Sequence, residues 1–308
     1  MAVYNLQQQP GNLAIQRAFR HKYSSAKLLR VIRIVGTYVL AVGGPILLYY
    51  LDTFNRPNLK TELTITSSAF TFVAFWLASL EKIIIKLGAQ IQEKFDMNVF
   101  MMKWNSNVTG DEPSAETIHN SSKKFRGKTD PIWYGGTEGI PSPYDTLIAQ
   151  RSSVVWDNRL RTRYIWYLGG WLIALLIAQF WFAIDHDICT KDFLITIILP
   201  SLSAYIFGIR ELREHIENRD GKKAMEKKIA GYILGCLESG KSPDPLIIRQ
   251  YQDSIYNLRR CTALVWDWFK KCFNKSFEHE MNAAQEDYKA QILAAGGDHQ
   301  NPEPLHKA

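Results

Sequence analysis

The sequence predicts a mainly α-helical membrane protein. Four transmembrane helices carry a composite cytoplasmic domain, made of a small α/β insertion between spans 2 and 3 and a helical C-terminal tail. Three observations lead there. Residues 34–51, 63–80, 164–184 and 193–209 contain no formally charged side chain, and each approaches the roughly 20 apolar residues a helix needs to cross a hydrocarbon core of about 30 Å. Lys and Arg gather at one end of every stretch. The polar segments between them carry helix-like periodicity. A mean hydropathy of −0.17 with 22% charged residues conceals this segregation.

Taken in order, residues 1–33 hold Arg17, Arg20, Lys22, Lys27, Arg30 and Arg33 and no acid. Cations are retained on the cytoplasmic side, so the N-terminus is expected inside. The stretch 34–51 is too long for a signal-peptide core and reads as the first retained span, with Gly43, Gly44 and Pro45 in its second half. Residues 52–62 balance Asp52 and Glu62 against Arg56 and Lys60, as a short external loop would. Span 2, residues 63–80, is rich in hydroxyls at its outer end (Thr64, Thr66, Ser67, Ser68, Thr71), and these are expected to bond back to their own helix. It returns against Lys82 and Lys86.

Residues 81–163 hold 12 basic and 10 acidic residues and form the first cytoplasmic part. Weak alternation over 95–104 predicts a strand. Ser114 opens a short helix, and the Pro/Gly-rich stretch 130–143 is irregular. Span 3, residues 164–184, is the clearest. Arg159, Arg161 and Arg163 precede it, Asp185 and Asp187 follow, and Trp166, Tyr167, Trp171 and Trp181 sit towards its ends, where amphipathic rings favour the headgroup layer. Span 4, residues 193–209, contains Pro200 and ends against Arg210 and Arg213. All four flanks agree on a topology with both termini cytoplasmic. In the tail, 210–295, SGKSPDP stops one helix and Pro245 starts another, whose Ile248, Tyr251, Ile255, Leu258, Val265 and Phe269 form an amphipathic stripe. That stripe is expected to pack on other cytoplasmic helices rather than lie on the membrane. Residues 296–308 are expected to be disordered.

The motifs of chemistry are missing. The chain has no GxGxxG, no phosphate-binding loop, no HExxH and no GxSxG. Cys189, Cys236, Cys261 and Cys272 lack metal-type spacing, so no catalytic or metal site is expected, and no enzyme. None of the spans contains Asp, Glu, Lys, Arg or His. Ion-driven transporters and voltage sensors use such groups, which disfavours both classes.

Three blocks carry a family resemblance: FDMNVFMMKWN followed by GDEPSAETI, QRSSVVWDNRLRTRY before span 3, and IYNLRRCTALVWDWFKKCFNKSFEHEMN in the tail. They resemble the four-transmembrane effectors that accompany SMODS-type nucleotidyltransferases in bacterial anti-phage systems. IWYGG at 132–136 departs from the family's pattern. The resemblance implies an inner-membrane protein that binds a cyclic oligonucleotide made by a partner nucleotidyltransferase. It then oligomerises or opens and arrests or kills the cell; no cofactor and no DNA or RNA polymer is implied. The alternative is a non-conducting membrane anchor or scaffold for a partner protein.

Such a ligand presents phosphates and flat bases, so its pocket should join cations to stacking rings. Lys123, Lys124, Arg126, Trp133, Tyr134 and Arg151 are the candidates. A turn containing Trp156, Asp157, Arg159 and Arg161, with Asp157 and Arg161 four apart, is the candidate coupling to span 3.

Overall fold

The protein is described here from a computed structural model covering residues 2–53 and 57–298. Among these residues the architecture is helical, with no strand. After the short α1 (Val3–Leu6), α2 (Pro10–Tyr38) passes through a π-helical turn (Val39–Gly43) into α3 (Gly44–Thr53). Next come α4 (Pro57–Phe100), α5 (Ser106–Thr109), α6 (Ala115–Lys124) and α7 (Tyr144–Asp185). The single turn α8 (Thr190–Asp192) leads through a second π-helical segment (Phe193–Ile198) into α9 (Leu199–Ser239), then α10 (Pro245–Arg260) and α11 (Asp267–Asp298).

Four of these rods run without a break through a predicted span and well beyond it. α7 alone has 42 residues, about 63 Å at 1.5 Å per residue, or twice the thickness of a hydrocarbon core. The candidate membrane helices are therefore continuous with the polar unit. α2 packs on α4 and α7 on α9, while α10 crosses α4, α7 and α9. α11 runs back along α7, with Phe269 against Tyr164 at one end and Tyr288 against Arg151 at the other.

Two apolar cores hold the polar unit. One joins Val3, Ile15 and Phe19 to Ile91, Phe95, Val99 and Tyr134. The other joins Leu147, Ile148 and Val154 to Ile229, Ile233, Ile248, Ile255 and Ile292. The N-terminal segment is thus a structural part of this unit. Gln7 clamps the backbone of Tyr134 and Gln16 that of Asp130, each through both amide atoms.

Several local expectations are met. Ser114 caps α6, accepting from the Thr117 N–H at 3.2 Å. Gly240 closes α9 in the left-handed conformation, and Asp244 caps α10. Thr66, Thr71 and Ser79 donate to carbonyls four residues back in their own helix.

Three expectations are corrected. The strand over 95–104 does not form: its residues to Phe100 are the end of α4. Ile91, Phe95 and Val99 are four apart and share one buried face, so the apolar period is helical. Left-handed Met101 then stops the helix, with the Met102 N–H reaching back to Met97. The insertion is therefore α-helical and irregular rather than α/β. The tail stripe is also split: α10 ends at Arg260, and Val265 and Phe269 lie beyond a non-helical link, against span 3. Lastly, 296–298 belong to α11; the rest of the predicted disordered tail, 299–308, lies outside the described residues.

Candidate functional site

Where the four rods pass from the polar unit into the predicted spans, buried charges form a collar. Arg30 on α2 is 3% exposed. It meets Glu81 of α4 at 3.3 Å and Glu211 of α9 at 2.9 Å, and donates to the Leu264 carbonyl in the link before α11. Arg33, one turn on, meets Glu81 at 2.9 Å and Glu211 at 3.4 Å. Removing one partner from such a cluster leaves an uncompensated buried charge, which costs several kcal/mol, about 3–5. The sequence signal was present but obscured. Glu81 and Glu211 are single acids among the cations that set topology, and only their companions Lys82, Arg210 and Arg213 attract notice.

Beside it, the predicted coupling turn supplies the second half of the collar. Arg161 is 2% exposed. Its fork donates to Asp157 at 2.5 Å and Thr262 at 2.6 Å, and contacts His215 Nδ1 at 3.0 Å. Lys222 of α9 also pairs with Asp157. Burial alone would raise the Asp157 carboxyl, but Arg161 and Lys222 hold it well below the usual carboxylate range. Burial pulls Lys222 down to about 8, against the opposing pull of Asp157. Burial, then the charges of Arg161 and Arg30, keep His215 neutral, and its Nε2 is buried without a hydrogen-bond partner. Of the other two coupling candidates, Trp156 lies under the Lys270 ammonium, 4.3 Å from its ring centre, and Arg159 is half-buried on α7.

A third cluster lies deeper in the polar unit. Glu93 and Asp96, both 0% exposed, sit one turn apart on α4. Gln252 of α10 donates to them at 2.8 and 2.9 Å and accepts from Gln150 of α7 at 3.1 Å. Arg259 pairs with Asp96, and Tyr134 donates to it at 2.5 Å. Burial and the neighbouring Asp96 push Glu93 up to about 8. This cluster ties three helices and the 125–143 loop into one body.

The six ligand candidates are not gathered into one pocket. Lys123, Lys124 and Arg126 are exposed at the end of α6 and just past it. Trp133 packs edge-on against Phe19 at 5.2 Å. The Tyr134 ring is enclosed by Phe95 and Phe100. Arg151 pairs with Glu226 at 3.6 Å and lies over Tyr288, on another side of the unit. What surrounds Lys123, Lys124 and Arg126 instead is α2. Arg17 donates to Ser122, and Arg20 donates to the Lys128 carbonyl while covering the Phe125 ring. Lys124 is near enough to His21 to help pull it below its ordinary value, after burial and Lys22.

The SMODS-associating 4TM effector domain matches residues 2–288. The chain belongs to this family. A probable CBASS effector molecule of Bacillus cereus (strain VD146) is 28% identical over 267 residues, covering 83% of this chain and 88% of the relative. No solved structure matches. The four long apolar helices and the family agree on a multi-pass membrane protein. Family and relative both point to a four-transmembrane effector of CBASS anti-phage defence.

Proposed function

We propose that this effector binds a cyclic oligonucleotide through its cytoplasmic unit and, in oligomeric form, opens a path through the inner membrane that arrests or kills the cell. The observation that carries this reading is the continuity of the rods: each of the four long helices that run through the polar unit also carries a span. A shift at the polar end needs no hinge to reach the bilayer. It must pass through the collar of Arg30, Glu81 and Glu211 with Arg161, Asp157 and His215. Here Arg161→Lys keeps a charge for lipid headgroups but removes the planar fork.

A ligand moves such an equilibrium only by binding the open or assembled state more tightly. Four helices enclose little space, which is why assembly is part of the reading. The lysine and arginine flanks support cytoplasmic termini. In that topology, exposed Cys189 reacts with an impermeant thiol reagent added to intact cells. On the ligand side, Lys123, Lys124 and Arg126 supply cations, with Trp133 as the nearest half-exposed ring of the predicted set; Tyr134 and Arg151 would have to leave their present partners to join.

Dye-loaded liposomes test the reading. The purified protein should release dye when cyclic di-AMP, 3′,3′-cyclic GMP-AMP or cyclic tri-AMP is added, and retain it otherwise. Binding of these compounds without release from any liposome would overturn the pore and leave the anchor or scaffold.

A further inference from the structure

One cluster of cations lies outside the collar, in the joint between α2, α7 and α11, and shares only Arg20 with the α6 face. Arg20 and Lys27 are seven apart, so they share one face of α2. Lys270, in the first turn of α11, lies over the Trp156 ring of α7. Among the described residues it forms no ion pair with a carboxylate, and the charges that act on it are the cations Lys27 and Arg20 and, more weakly, the acids Asp267 and Asp157. Burial, then those two cations, draw the Lys270 ammonium down to about 8. Asp267 pairs with Lys27 rather than with Lys270. Trp266, packed in the same aromatic cluster as Trp156, has a buried indole N–H with no hydrogen-bond partner.

Cations from two helices meeting at one joint are the makings of an anion site, because negatively charged acceptors relieve their mutual repulsion. The stations suit a ligand with more than one phosphate: Arg20 and Lys27 are about 10 Å apart along the helix. Of the five donors on Arg20, one hydrogen bond goes to the Lys128 carbonyl.

We propose that Arg20, Lys27 and Lys270, with Trp156 beside them, bind the phosphodiester groups of the soluble cyclic oligonucleotide. This rests on the reading above that such a ligand activates the protein. A phospholipid headgroup offers the same phosphodiester chemistry, but depth favours the soluble ligand. Lys27 lies seven residues before span 1 and Trp156 eight before span 3, about 10–12 Å below the hydrocarbon edge. The headgroup layer extends only roughly 5–7 Å. The site also has a built-in route to the membrane. Trp156 is adjacent to Asp157, and Lys270 is adjacent to Phe269, whose ring lies 5.0 Å from that of Tyr164 at the foot of span 3. A phosphate that displaces Asp267 from Lys27 and draws Lys270 off Trp156 acts on both.

The test titrates full-length protein in phospholipid-free detergent with cyclic di-AMP, 3′,3′-cyclic GMP-AMP and cyclic tri-AMP. The wild type binds at least one, and Lys27→Gln with Lys270→Gln weakens it more than about tenfold, as loss of charged hydrogen bonds requires. Lys270→Arg, which keeps charge and donor, stays within about threefold of wild type; an equal loss in that variant overturns the site. Full binding by the Gln pair alongside loss in Lys124→Glu with Arg126→Glu also overturns it, yet leaves the ligand reading standing. No binding of any of the three compounds by wild type removes both. A final arm compares nanodiscs of phosphatidylcholine with those of phosphatidylglycerol. Strong competition by the anionic lipid, abolished in the Gln pair, makes this a headgroup site and contradicts the proposal.

Discussion

The same four rods look different at their two ends. In the polar half they are wrapped: α1, α6, α10 and α11 cover them, and a buried cluster of Glu93, Asp96, Arg259, Gln252 and Gln150 pins α4, α7 and α10 together. In the apolar half they are bare. Phe72, Phe75 and Trp76 on span 2 are 80%, 77% and 63% exposed, as residues facing lipid should be. Between spans 3 and 4 one small polar lock holds, Gln179 to Ser201 at 2.8 Å and Tyr205 to Gln179 at 2.7 Å. Close approaches replace the rest: a Cβ on Gly36 would meet the Phe70 ring, and one on Gly208 would meet Leu172 and the Tyr38 hydroxyl. Both π-helical segments lie in this half, in spans 1 and 4. The difference teaches where change is possible. One half is over-determined and moves as a body; the other is held by few directional contacts and can rearrange.

The sharpest way to break that contrast is Arg259→Ala. It strands Asp96 at zero exposure beside Glu93, so it should cost about 3–5 kcal/mol, read as a large drop in the melting temperature of the detergent-solubilised protein. A change no larger than that of a span substitution would mean that the polar half is not the rigid one.

A smaller, signed effect comes from pH. Glu93 is raised above the ordinary carboxylate range to about 8, so between pH 4.5 and 8 the folded state holds a proton that the unfolded chain releases. Its contribution to stability is present at low pH and lost as pH rises through 8. Glu93→Gln should therefore match wild type near pH 4.5, be the more stable protein at pH 6.5, and gain a wider margin by pH 8.5. The comparison cancels Lys222 and Lys270, which both proteins share. A gap between the two proteins of the same size at pH 6.5 and pH 8.5 would show Glu93 already ionised at the lower one.

Least of all should be Gln179→Leu. Removing the interhelical bonds to Ser201 and Tyr205 should cost about 1 kcal/mol, visible as faster proteolysis of detergent-solubilised protein. A loss comparable to that of Arg259→Ala would put the pinned region in the membrane instead.

Much of this was legible in the sequence, for identifiable reasons. Spans declare themselves because hydrocarbon tolerates no unpaired charge, and caps such as Ser114 and Gly240 act within four residues of their own position. The helical run through Phe95 was missed because its buried face mixes apolar Ile91, Phe95 and Val99 with Glu93 and Asp96. Periodicity counts such acids as surface. Their partners, Arg259 and Gln252, lie more than 150 residues on, beyond any local pattern. The packing of the N-terminal segment was hidden for the same reason: its six cations were read only for topology, yet Arg30 is neutralised by Glu81 and Glu211 from two other helices. Asp157 with Arg161 was readable because the pair is local; Lys222, Thr262 and His215, which complete it, were not. The ligand candidates scattered because adjacency in sequence put Tyr134 beside Trp133, whereas packing turned its ring into the core.

The central claim is that ligand binding in the rigid half reaches the loose half through Arg161. One experiment separates the two steps: nucleotide affinity and dye release measured on the same preparation of wild type and Arg161→Lys. The account predicts that Arg161→Lys binds the nucleotide as wild type does and releases little or no dye, because an ammonium cannot hold Asp157, Thr262 and His215 with the geometry of the fork. Release at the wild-type rate by Arg161→Lys, with binding intact, would contradict it.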